Sequence, residues 1–141
     1  MSQANRARSR FRIGARPETD GVQTWRIDFT EIDRPTIIKD RYEADVPANG
    51  HFLVEQSTGA IMETQLRIDG TAYIAEIVVK FHLDPGLGMW VPARMNETYK
   101  TARSSLVGAG TSMGVALEGT AKYSRFRRFQ VKTEETITIK K

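Results

Sequence analysis

Residues 60–82, AIMETQLRIDGTAYIAEIVVKFH, constrain this chain more than any other stretch. Two runs of alternating apolar and polar residues flank Asp69-Gly70, and Asp-Gly between such runs is the strongest short-range hairpin signal. A two-residue turn there sets Ile68 opposite Thr71, Leu66 opposite Tyr73, Thr64 opposite Ala75 and Met62 opposite Ile77. Opposed residues share a face, so this face is apolar or small throughout. The other face is mixed, pairing Arg67 with Ala72, Gln65 with Ile74, Glu63 with Glu76 and Ile61 with Val78. A one-residue slip destroys the separation, so an antiparallel hairpin is expected here.

The flanking sequence extends the same pattern. Ser9 to Ala15 reads as a short strand with Phe11 and Ile13 on one side, and RPETDG (Arg16 to Gly21) is turn chemistry. Thr24 to Ile32 alternates Trp25, Ile27 and Phe29 against Arg26, Asp28 and Thr30, as in a half-buried strand. Arg34-Pro35 interrupts it, because proline donates nothing to a ladder. Lys39 to Asn49 is polar, carries Pro47 and reads as a loop. His51 to Gln56 is a further strand, turned into the hairpin by Ser57-Thr58-Gly59. LDPGLG (Leu83 to Gly88) sets a second tight bend.

Met89 to Lys100 follows, with Met89, Val91, Ala93 and Met95 expected on one face; Pro92 requires an edge position or a bulge. TARSSLVGAGTSMG (Thr101 to Gly114) is small, glycine-rich and aperiodic, and is expected to form a mobile rim. Val115 to Val131 is β-like with a break at Ser124 to Arg128, and Thr136 to Ile139 closes the chain. Nothing sustains helical periodicity over three turns. Short strands joined by Gly, Pro and Asp turns predict an all-β domain.

At 141 residues the chain suits one domain able to bury a core without staples. It has no cysteine, which excludes disulfides, thiol nucleophiles and thiolate metal sites. No run approaches the roughly 20 apolar residues that span a bilayer. SQANRARSRFR after Met1 has the charge of a signal peptide's first region without its apolar stretch. The net charge of +4 is unevenly placed: Arg6, Arg8, Arg10, Arg12 and Arg16 stand in residues 1–16 with no acid, leaving 16 basic side chains against 17 acidic ones elsewhere. Residues 1–16 are therefore expected to be a basic flexible leader or linker, and 17–141 the β domain.

Catalytic constellations fail on spacing. His51 and His82 stand at expected strand ends, with no i, i+2 or i, i+4 partner for a metal. Ser112 in GTSMG matches a nucleophile elbow only superficially, since the elbow needs a strand before it and a helix after it; Ser104 and Ser105 have no such setting. Gly108, Gly110 and Gly114 lack the following helix of a phosphate loop. Glu63 facing Glu76 is the arrangement that raises one carboxyl pKa, but Arg67 and Lys80 stand close enough to relieve it. No catalytic residue, metal or cofactor is expected. In YSRFRRF, Arg125, Arg127 and Arg128 alternate with Tyr123, Phe126 and Phe129, a pattern used to bind single-stranded nucleic acid. The competing expectation, favoured by the body's near-neutral charge, is that Phe126 and Phe129 enter the core while the arginines pair with acids.

VPARMNETY (Val91 to Tyr99) and GTAKYSRFRRFQV (Gly119 to Val131) carry a resemblance. With Trp90 they are similar to the tail of a group of uncharacterised bacterial exported proteins, W-hPhRhxExY…G-x-A-x-Y-S-x-F-R-R-F-x-V, where h is apolar. The matching positions are Trp90, Val91, Pro92, Arg94, Glu97, Tyr99, Ala121, Tyr123, Ser124, Phe126, Arg127, Arg128 and Phe129. That group distantly resembles the lipoprotein-carrier (LolA- and LppX-like) superfamily, whose members are incomplete β-barrels with a concave apolar side covered by helices. This chain departs from the pattern in having no covering helices, signal peptide or lipobox cysteine, as would the C-terminal piece of a larger protein.

The resemblance implies a periplasmic or exported setting; without it, a cytoplasmic one is equally compatible. The expected fold is a curved antiparallel half-barrel of about seven strands. A sheet this apolar on one face must bury that face against something. The expected function is non-enzymatic binding of an apolar or lipid-like molecule, or of a lipidated partner, by Trp25, Ile27, Phe29, Leu66, Tyr73, Ile77, Val79 and Phe81. The alternative is a structural or protein-interaction domain, closed by its own core or by a homodimer or sheet-pairing partner. Single-stranded nucleic-acid binding is the less favoured third reading.

Overall fold

A computed structural model describes residues 7–70, 73–101 and 116–129. Eight strands form one antiparallel sheet: β1 (Ser9–Ile13), β2 (Glu18–Thr19), β3 (Val22–Glu31), β4 (Ala48–Glu55), β5 (Ile61–Asp69), β6 (Tyr73–Asp84), β7 (Met89–Thr101) and β8 (Ala116–Lys122). The order is β1-β3-β4-β5-β6-β7-β8, with the two-residue β2 paired to β3 alone. The end strands β1 and β8 do not pair, so the sheet stays an open, curved half-barrel, and no helix occurs among the described residues. The basic N-terminal stretch belongs to the sheet from Ser9 onward, because β1 pairs with β3 from Ser9–Glu31 to Ile13–Ile27.

The central hairpin forms, but its register differs from the Asp-Gly expectation. Leu66 lies opposite Ile77 and Ile68 opposite Ala75, and Gly70 donates its N–H to the Tyr73 carbonyl at 2.9 Å. Each strand has slid by two residues. An even slide keeps every side chain on its face. It also trades the expected Glu63–Glu76 opposition for Glu63–Lys80 and Arg67–Glu76. Like charges directly opposed destabilise a sheet and unlike charges support it, and that difference outweighs the turn preference of Asp69-Gly70.

Two bulges shape one end of the sheet. Met62 is the extra residue where β4 meets β5, since Leu53 pairs with Glu63 and Val54 with Ile61. Ala93 is the extra residue in β7, since Lys80 pairs with Arg94 and Phe81 with Pro92. The second bulge lets Pro92 sit inside an internal strand, the alternative to an edge position. It also corrects the expected face of β7. Met95 pairs with Val79 on the apolar face, whereas Val91 and Met89 pair with His82 and Asp84 on the opposite one.

Candidate apolar ligand groove

Following Cα partners across the strands assigns one continuous apolar face. Phe29 of β3 lies beside Phe11 of β1 and Gly50 of β4; Gly50 lies beside Leu66 of β5, and Leu66 beside Ile77 of β6. Trp25 and Ile27 share this face through Val54 and Phe52, and Tyr73, Val79 and Phe81 share it by alternation along β6. All eight residues expected to bind an apolar ligand therefore stand on one side of the sheet. The opposite side carries the ion pairs Arg26–Asp28, Arg67–Asp69 and Lys80–Glu63.

The segment expected to be only a polar loop roofs part of this face. Val46 is buried with Ile68 and Ala75, and Ile38, Leu66, Tyr73 and Tyr99 pack around them. Polar side chains hold the roof down. Glu31, at the end of β3 and only 6% exposed, accepts the Ile37 N–H at 2.8 Å and the Ala48 N–H at 3.2 Å. Thr36 donates its N–H to Asp45 at 2.7 Å, and its hydroxyl accepts the Val46 N–H at 3.0 Å. Lys39 pairs with the same Asp45 carboxylate. The Lys39 ammonium first, and the Thr36 N–H second, hold the Asp45 pKa down at about 2.

Between roof and floor lies an open groove of about 330 Å³, lined among others by Phe29, Ile37, Ile38, Phe52, Thr64 and Leu66. The volume falls within the range of about 300–1,000 Å³ typical of small-molecule sites. The Phe29 and Phe52 rings stand 5.2 Å apart, tilted by 32°. Gly50 makes room for this pair: a Cβ there would lie 2.9 Å from the Phe29 ring and 1.9 Å from the Gln65 carbonyl oxygen.

Of the eight expected residues, Phe29 and Leu66 line the groove, and Tyr73 packs at the core beside it. Ile77, Val79 and Phe81 continue the face along β6, and Trp25 and Ile27 continue it along β3. Ile37, Ile38 and Phe52 were not singled out by sequence. Phe52 was legible in the alternation of His51 to Gln56; Ile37 and Ile38 were not, because nothing local shows that their segment folds back. Of the expected rim, 102–114 lies outside the described residues, as do Ser104, Ser105, Ser112 and the closing stretch 136–139.

The polar groups sort themselves differently from the sequence expectation. His51 is not at a strand end: it sits within β4, buried, with Nε2 3.7 Å from Glu63 Oε1 on the face away from the groove. Lys80 Nζ is 3.7 Å from the other Glu63 oxygen, and Arg67 lies 4.0 Å from Glu76, so each glutamate has a cation where the other glutamate was expected. No group of three or more His, Cys, Asp or Glu suited to a metal occurs among the described residues. The Tyr99 hydroxyl donates to Glu97 at 3.1 Å, and that bond, with some burial, raises the Tyr99 pKa. Phe129 does not enter the core: it is 88% exposed, and Arg125, Arg127 and Arg128 beside it are exposed as well. No family model, curated protein or solved structure matches this chain.

Proposed function

We propose that the protein is a non-enzymatic binding module that takes an apolar or lipid-like ligand, free or carried by a lipidated partner, in the groove beneath residues 36–46. The observation that carries this reading is an apolar face on an open sheet, with a groove of about 330 Å³ left between its floor and its partial roof. Uncovered apolar area of this kind is worth about 25 cal/mol per Å² to whatever buries it. The groove is suited to an acyl or similar hydrocarbon chain. Phe29, Phe52 and Leu66 supply its walls, and both Glu31 oxygens are already engaged by backbone N–H groups.

The test is to release bound molecules from gently purified protein by denaturation and identify them by mass spectrometry. Titration with a fluorescent fatty acid would follow, in the wild type and in Thr64→Trp, which fills the groove from its floor. The expectation is a released apolar molecule and a fatty-acid affinity at least several-fold weaker in the variant. An empty protein, or equal affinity in both forms, would sink the reading.

A second reading is favoured by the rims. Ile13 on β1 and Leu117 on β8 lie on the same face and are 67% and 64% exposed at the two unpaired edges. A second copy covering the sheet would bury them. Sedimentation over a range of concentrations separates this reading from the first, since only self-association changes the mass.

A further inference from the structure

The end of the sheet carrying the β6–β7 turn joins two features. The first is an apolar tip. Asp84 Oδ1 accepts the Gly86 N–H at 2.8 Å and the Leu87 N–H at 3.0 Å, and the Gly88 N–H returns to the Asp84 carbonyl at 2.8 Å, so the turn is firmly built. Gly88 has φ +64°, which suits glycine. On this turn Leu83 is 52% exposed and Met89 55% exposed. The Ala93 bulge assigns them to opposite faces, because Leu83 pairs with Trp90 and Met89 with Asp84. A tip that is apolar on both faces cannot bury both against one core.

The second feature is positive charge beside that tip. Lys80, Arg94 and Lys122 are Cα partners across three adjacent strands, all exposed. Like charges opposed across neighbouring strands, about 4.8 Å apart, repel. Only Lys80 has a carboxylate within ion-pair distance among the described residues, at Glu63. Beyond Lys122 the chain stays against β7, with the Tyr123 N–H donating to the Ala93 carbonyl at 3.0 Å. Exposed Arg125, Arg127, Arg128 and Phe129 follow.

We propose that this end of the sheet docks on a bilayer surface rich in anionic headgroups. Leu83, Met89 and Phe129 would enter the boundary between headgroups and acyl chains, and Lys80, Arg94, Lys122 and the three arginines would lie against the headgroup phosphates. Aliphatic tip residues flanked by cations match that layered solvent, and surface cations gain from a negative leaflet. A single-stranded nucleic acid would satisfy the cations but would leave Leu83 and Met89, which offer no ring for base stacking, without a partner. The proposal does not rest on what occupies the groove.

The full chain would be co-sedimented with vesicles of phosphatidylcholine alone and of phosphatidylcholine with phosphatidylglycerol, at low and high salt. Binding is expected to the anionic vesicles only and to weaken with salt. Replacing Arg125, Arg127 and Arg128 by Ser should lower it roughly a hundredfold, at about fivefold per cation near such a surface. Leu83→Ser with Met89→Ser should weaken what remains at high salt. Trp25→Phe leaves Trp90 as sole reporter beside Leu83, and its emission should shift to the blue on anionic vesicles, independently of how the serine variants fold. Equal binding to neutral vesicles, an unmoved Trp90 emission, or retention of a single-stranded oligonucleotide with no vesicle binding would each overturn the proposal.

Discussion

Removing the Glu31 carboxylate should loosen the roof of the groove before it unfolds the sheet. Glu31 is 6% exposed and bonds the N–H groups of Ile37 and Ala48, one at each end of the roofing segment. Ile37 is 61% exposed, so its N–H can turn to water, whereas Ala48 is buried and its N–H cannot. A hydrogen bond to a charged group contributes about 1.5–3 kcal/mol net, and an abandoned buried donor costs about 1–3 kcal/mol. Glu31→Gln can keep its carbonyl on Ala48 and surrender only the exposed bond, which sets its cost at about 1–2 kcal/mol. Glu31→Ala gives up both bonds and leaves a void, for about 2–4 kcal/mol out of a total of about 5–15.

Urea unfolding followed by tryptophan fluorescence gives the global cost, and amide exchange gives the local one. Exchange at Val46, whose N–H is bonded within the roof, should quicken more than exchange at Ile68 and Ala75 on the floor. Fatty-acid affinity should fall with it. Equal stability of Glu31→Ala and wild type, or Gln as costly as Ala, would refute the account of Glu31 as the roof's anchor.

Three further outcomes are expected. Gly50→Ala should cost about 1–3 kcal/mol by the overpacking rule, because the new Cβ meets the Gln65 backbone at 1.9 Å and no rotamer can relieve it; an unchanged urea midpoint would contradict this. Asp45 has its pKa depressed from 3.8 to about 2 by Lys39 and Thr36, so its contribution is complete above pH 4 and is lost as pH falls through 2. Fatty-acid binding should weaken across that window in wild type, and the step should be absent in Asp45→Asn. A double-mutant cycle should give Glu63 and Lys80 a coupling of about 0.2–1 kcal/mol and Glu63 and Glu76 none, which distinguishes the observed register from the Asp-Gly one.

The sheet was legible because alternation is a local signal: Trp25, Ile27 and Phe29 declare a face without reference to anything distant. The hairpin's existence was legible for the same reason. Its register was not, because the turn residues and the cross-strand charges argue for different pairings, and the charges of Glu63, Arg67, Glu76 and Lys80 decided. The face of Val91 was misread because a bulge changes the phase of alternation and leaves no mark in the sequence beyond Pro92. The roof was invisible for another reason. KDRYEADVPAN is polar and aperiodic, and its anchor, Glu31, lies 17 residues from the Ala48 N–H it holds. Two apolar residues in it, Val46 and Ala48, became buried.

The bulge at Ala93 also fixes what changes of length this end of the protein can absorb. From Phe81–Pro92 outward to the turn, every pair takes its facing from that one extra residue. Deleting Ala93 would remove the bulge and leave the pairs Phe81–Pro92, His82–Val91 and Leu83–Trp90 in register, whereas inserting one residue between Pro92 and the turn would act as a frameshift confined to the tip. Lengthening the β6–β7 arm is free of that penalty only when residues are added equally to both strands and in even numbers. Homologous chains are therefore expected to differ at this tip by such even steps, or to lose the bulge and the proline together.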